Sequence, residues 1–335
     1  MSLSFCLRDF SACSKDDSGN QQQEPEYPSP TPVPSADYKG LAFISSGEST
    51  VRLAQVGTPY EISLEYSTDE SHWKPYTIGE TITLADSTFL LFRSGEHKNR
   101  KFSKDDENYY HFEISGPISA QGNIMSLLNR DFSTPLTFYG FFALFEGCTS
   151  LLSAPELPAT TMEQGCYFGI FSECTGLTSA PELPANVLAN NCSGWMFKGC
   201  SALTYVPDLP ATEMVSYCYN NMFANCTSLK FAPELPATRL DMGCYHCMFE
   251  GCTSLTSAPE LPATELVSNC YEFMYKDCRN LRYVIGLFTT EPSEKTTKDW
   301  LSGVAASGTF IKSKKATWDV TSAHGVPEGW KIETW

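Results

Sequence analysis

The chain is short of positive charge. Lys and Arg number 23 against 39 Asp and Glu, a formal net charge of −16 over 335 residues. Nucleic acid and anionic membrane surfaces reward clustered Lys and Arg, so this balance argues against both as main partners. Long apolar runs are also missing. No stretch of about 18 or more apolar residues occurs, so no segment reads as a membrane-spanning helix. Histidine is scarce. His72, His97, His111, His246 and His324 fall in no recognisable constellation with Ser or Cys. No Gly-rich phosphate loop is present. The one close cysteine pair, Cys244-Tyr-His-Cys247, lacks a second pair or a ligand-spaced His and is a poor zinc or redox signal. Nucleophilic, acid–base and metal catalysis therefore have nothing to rest on. The expectation is a non-enzyme with no cofactor and no metal.

At 42% hydrophobic and 13% aromatic, the chain can bury a core. Its most informative residues are its 14 cysteines. Cys148, Cys174, Cys200, Cys226, Cys252 and Cys278 recur every 26 residues, and so do Cys166, Cys192, Cys218, Cys244 and Cys270. Cys6, Cys13 and Cys247 stand outside these columns. A fixed period in this range is the signature of a solenoid. Leu151, Leu177, Leu203, Leu229, Leu255 and Leu281 form a further column, and Phe145, Phe171, Phe197, Phe223, Phe249 and Tyr275 another. One coil cannot bury such residues alone; its neighbours must.

In each repeat, Cys through the second Pro (CTSLTSAPELP) reads as extended, and the two prolines keep that strand short. The remainder (ATELVSNCYEFMY) reads as a turn plus a short helix. The fold class expected is thus an α+β solenoid of leucine-rich-repeat coils, each a short strand plus a short helix. Equivalent thiols stacked in register read as small buried hydrophobes rather than as a disulfide ladder.

The pattern C-x-x-L-x-x-A-P-E-L-P-A-T…C-Y-x-x-M-F-x-G resembles the BspA-like leucine-rich repeat proteins of Bacteroidales, over roughly 138–335. The segments WLSGVAASGTF (300–310) and VPEGW (326–330) resemble the closing part of that family. The resemblance implies a bacterial cell-surface solenoid that binds proteins or host components and carries no enzymatic activity. Phe10-Ser11-Ala12-Cys13 resembles a lipobox, which implies lipid attachment at Cys13 and anchoring at an outer membrane.

Four segments follow. Residues 1–37 hold the signal remnant and a Pro-rich spacer. Residues 38–137 carry no repeat but alternate apolar and polar residues over short runs, as in a small antiparallel β-sandwich-like module. Residues 138–286 are the solenoid. Residues 287–335 lose the Cys and Pro columns, keep Trp300, Phe310, Trp318, Trp330 and Trp335, and should cap it.

One polar column stands out: Glu156, Glu182, Asp208, Glu234 and Glu260, each between the two prolines of its repeat. Stacked carboxylates are expensive to bury, so the column should face solvent or hold a cation. Residues 148–277 carry 13 acids against 4 bases, more than half of the net charge. The column reads either as an acidic binding strip for a basic partner or divalent ion, or as a solvated face that keeps the solenoid soluble. The functional expectation is a surface-anchored binding or adhesion protein with protein partners. The alternative is a glycan-binding or nutrient-capture lipoprotein whose module 38–137 holds the carbohydrate.

Overall fold

Alternating runs after Gly40 become strands because each can put one face on a core and the other in water. They are β1 (Leu41–Ser45), β2 (Ser49–Val56), β3 (Leu64–Ser67), β4 (Lys74–Pro75), β5 (Thr81–Leu84), β6 (Phe89–Ser94), β7 (Tyr109–Ser115) and β8 (Ile118–Gln121). A computed structural model describes residues 33–318 and 324–335. One sheet has the order β4-β3-β6-β1-β8, continued by β9 (Leu151–Ser153) of the first coil; a second has the order β5-β2-β7. Leu41, Phe43, Leu53, Leu90, Phe92 and Phe112 are fully or almost fully buried in the core the sheets share.

This sheet structure runs directly into the repeats. Strand β8 pairs in parallel with β9. The Phe112 N–H donates to Leu144 O at 2.7 Å, the Cys148 thiol donates to Phe112 O at 3.0 Å, and the Phe112 and Phe145 rings stack at 5.2 Å. Pro32–Trp335 form one compact unit.

The 26-residue register is realised as stacked coils, but the expected strand-plus-helix coil does not form. Among the described residues there is no α-helix. The one helical element is a 3-10 turn, η1 (Ile124–Leu127), which precedes the first coil. The α+β, leucine-rich-repeat assignment is overturned in favour of a structure of sheets and stacked turns. The physical reason lies in the backbone. In the segment read as helical, every fourth residue has positive φ: Gly165 (+62°), Gly169 (+61°) and Glu173 (+59°) in one coil, Asn191 (+53°), Trp195 (+57°) and Gly199 (+76°) in the next. An α-helix cannot contain left-handed residues. The hydrogen bonds follow suit. Phe168, Ile170 and Ser172 donate to the carbonyl three residues back, whereas Tyr167, Gly169 and Phe171 donate to Cys192, Gly194 and Met196 of the next coil at 2.9–3.0 Å. Alternate N–H groups thus close turns within a coil and bind the coils together.

The columns face inward as their periodicity requires. Phe145, Phe171, Phe197, Phe223, Phe249 and Tyr275 stack with centroids 5.5–5.7 Å apart and planes within 17°. Each side chain is fully buried. Offset-parallel rings are a favoured aromatic geometry, which lets an identical residue recur at one phase without a clash.

On the opposite arm, the prolines withhold donors. The middle coils meet there through single bridges such as Thr161↔Val187, Ser179↔Tyr205 and Glu213↔Arg239. Pairing becomes regular only at the far end, where β10 (Ser257–Leu261), β11 (Tyr283–Gly286), β12 (Thr309–Lys312) and β13 (Lys331–Thr334) form a parallel sheet. Trp300, Phe310, Trp318 and Trp330 are buried there, whereas Trp335 is exposed. The indole N–H groups of Trp300 and Trp330 donate to Gly325 O and Ala305 O at 2.7 and 2.8 Å. Among the described residues, no helix is long and apolar enough to cross a membrane.

Candidate binding surface

The two proline positions of each coil hold the acid between them on the outward side of the extended arm. Glu156, Glu182, Asp208 and Glu234 are exposed, and Glu260, inside β10, is half-buried. Neighbouring members meet across coils: the Glu234 N–H donates to the Asp208 carboxylate at 3.1 Å. The five acids expected to line up do so, one per coil. None of them forms an ion pair among the described residues, so the strip's charge is left for solvent or a partner. Between the first two coils, Glu156 and Glu182 border a groove of about 560 Å3 walled by Leu157, Pro158, Pro181 and Pro184.

Three residues before each acid lies a further column, Ser153, Ser179, Tyr205, Phe231 and Ser257, continued at the same phase by Tyr283. Tyr205 is 57% exposed and Phe231 71% exposed, on adjacent coils. The signal was present in the register. Where the inward Leu and Cys columns hold one residue type, this one mixes Ser with Tyr and Phe.

The cysteines turn out to be architectural. The twelve described ones are unpaired and buried. In the first column the thiols of Cys174, Cys200, Cys226, Cys252 and Cys278 donate to Phe145, Phe171, Phe197, Phe223 and Phe249 O of the preceding coil at 3.0–3.2 Å. Burial pushes their pKa values up, Cys252 to about 12, which keeps them protonated and unreactive. Tyr167, Tyr219, Tyr245 and Tyr271 are likewise buried between coils.

Cys247 occupies a left-handed position (φ +54°), with its sulfur 3.8 Å from His246 Nε2. That nitrogen also lies 3.6 Å from Glu272. Burial, with Glu250 adding to it, raises the Cys247 thiol, so the pair does not generate a thiolate. Cys244 belongs to the buried column. Among the described residues no group of three or more His, Cys, Asp or Glu is placed to hold a metal. Asp69, Ser71 and His72 do come together, but Asp69 and Ser71 both meet His72 Nδ1, at 2.7 and 2.9 Å. A relay from acid to nucleophile needs the two partners on different ring nitrogens. Cys13 lies outside the described residues. No family model, no curated protein and no solved structure matches the chain.

Proposed function

We propose that this chain is a non-enzymatic binding protein that presents the outward face of its coils to protein partners. It would act at a bacterial cell surface, held at the outer membrane by a lipid on Cys13. The observation that carries the reading is the exposure of Tyr205 and Phe231 at one register position of adjacent coils, each three residues before an exposed acid, Asp208 or Glu234. Exposed aromatics within a polar rim are the composition of an interface centre. The acid column selects a basic partner surface and speeds its approach. The repeat pattern that resembles BspA-like surface proteins supports the same role.

The test replaces both aromatics with the Ser found at this position in other coils. A Tyr205→Ser/Phe231→Ser chain should lose about 100-fold in affinity for an extracellular protein captured by the parent chain. Unchanged binding by a correctly folded double variant would overturn the reading. Fatty-acid labelling that persists in a Cys13→Ala variant would remove the anchor.

A further inference from the structure

Three basic residues meet at a cavity lined by residues that precede the coils. Lys39, Arg93 and Arg130 line a cavity of about 260 Å3, together with Asp37, Tyr38 and Phe132. The two arginines are held by one carboxylate. Arg93 on β6 sits opposite Glu65 on β3 and donates Nε and Nη2 to Glu65 Oε2 at 2.9 and 2.8 Å. Its guanidinium also lies 3.7 Å over the Trp73 ring. Arg130, just after η1, reaches Glu65 Oε1 at 3.0 Å through Nη2 and Ser94 O at 3.1 Å through Nε. Glu65 is largely buried, so the triad is fixed from behind.

The arginines of this cluster keep donors unused. One carboxylate faces two guanidiniums, and around them exposed Lys39 is offset by Asp37 and by Glu70, whose carboxylate lies close enough to act on Tyr38. Among the described residues, the Nη1 group of neither arginine makes a hydrogen bond. Two preset guanidiniums with unspent N–H donors match an incoming carboxylate, whose oxygens accept such pairs in the plane. Gly40 lets Tyr38 and Ser126 pack closely at the cavity wall: a side chain there would meet the Tyr38 hydroxyl at 2.6 Å and Ser126 Cβ at 2.8 Å.

We propose that this cavity binds an acidic sugar residue, a hexuronate, by its carboxylate. Its volume falls just below the ~300–1,000 Å3 of sites for drug-sized ligands, which suits one sugar ring. Tyr38 and Phe132 supply aromatic wall for the apolar side of that ring, and Asp37 is an acceptor for its hydroxyls. The site is separate from the coil face and goes beyond the protein-binding role.

The test is ligand-detected NMR titration of the full chain with sodium glucuronate, with glucose and sodium acetate as comparisons. Glucuronate should bind at about millimolar or better, with both comparisons at least about tenfold weaker. Arg130→Gln should weaken glucuronate at least about tenfold. Lys39→Gln, which leaves the Glu65 pairs intact, should weaken it about threefold and steepen no unfolding transition. Glucuronate that fails to bind, acetate or glucose that binds equally well, or full affinity in Lys39→Gln and in folded Arg130→Gln would each overturn the proposal.

Discussion

The sheets before Leu128 and the coils after Phe138 solve the same problem in different ways. In the sheets, each buried strand spends its N–H groups on lateral neighbours, and the core is filled by alternating residues from strands far apart in sequence, such as Phe43, Phe92 and Phe112. In the coils, alternate N–H groups stay within the turn and the others cross to the next coil, and the core is filled by the same residue repeated. The first arrangement needs a different side chain at each core site. The second needs one side chain that packs well on itself, and Phe and Cys both do. The described sheets contain no cysteine before Cys148, whereas the coils carry twelve buried thiols.

That difference yields the largest expected effect. A buried thiol whose folded pKa is raised contributes stability that is fully present below its unfolded value. The contribution is lost as pH rises toward the folded value. The unfolded thiols begin to ionise near the ordinary 9.0, while folded Cys252 holds its proton to about 12. Each thiol then costs about 1.4 kcal/mol per pH unit, and twelve together exceed a whole domain's stability of about 5–15 kcal/mol within one unit. The chain should unfold cooperatively near pH 10, as followed by circular dichroism. Persistence of the fold to pH 12 would show that the thiols do not carry the coils. Unfolding at neutral pH without reductant should expose twelve alkylatable coil thiols; finding them as disulfides by mass spectrometry would say the same.

Next in size is the aromatic ladder. Phe197→Ala opens a gap between Phe171 and Phe223 and should cost about 3–5 kcal/mol in denaturant unfolding. Phe112→Ala, at the junction, should lower hydrogen-exchange protection on both sides of it. If strands β1–β7 keep full protection while the coils lose theirs, the two regions fold separately.

A smaller effect tests the left-handed turns. Gly199 has φ +76°, and a side chain there would meet the Glu173 carboxylate at 2.5 Å. Gly199→Ala should cost about 1–3 kcal/mol, partly recovered in a Glu173→Gly background. Equal destabilisation in both backgrounds would leave backbone strain alone as the cause. The smallest effect belongs to the outward face: Tyr205→Ser/Phe231→Ser should change stability by no more than about 0.5 kcal/mol per site. A larger loss would mean that these side chains pack within the fold.

Much of the fold was legible in residue spacing, and the reason is stacking. A position repeated every 26 residues as Phe, Leu or Cys must meet itself in the next coil, and these columns are indeed buried. The turn conformation was misread because apolar residues at positions such as Cys166, Tyr167, Ile170 and Phe171 mimic a helical stripe. A period of four and a period of 3.6 are hard to separate over nine residues. The correcting signal was the residue before each first-column cysteine: Gly147, Glu173, Gly199, Asn225, Gly251 and Asp277, mostly types that tolerate positive φ. Of the outward face, the acids were legible because burying them is costly. The exposure of Tyr205 and Phe231 was legible only as variation at one register position, because an aromatic in a repeat reads first as core. The Arg93–Glu65–Arg130 cluster could not be found from spacing, because β3, β6 and the η1 turn bring together residues from three separate segments.

Periodicity and composition settle what every coil shares: its length, its inward columns and its acid column, since each follows from what may be buried against a copy of itself. Three-dimensional packing settles what differs between coils and what lies outside them. It turns a helical stripe into left-handed turns, because bonding to the next coil satisfies N–H groups that a helix would have kept for itself. It leaves two aromatics in water and draws two arginines onto one glutamate. Those placements depend on contacts between distant segments, which no local pattern encodes.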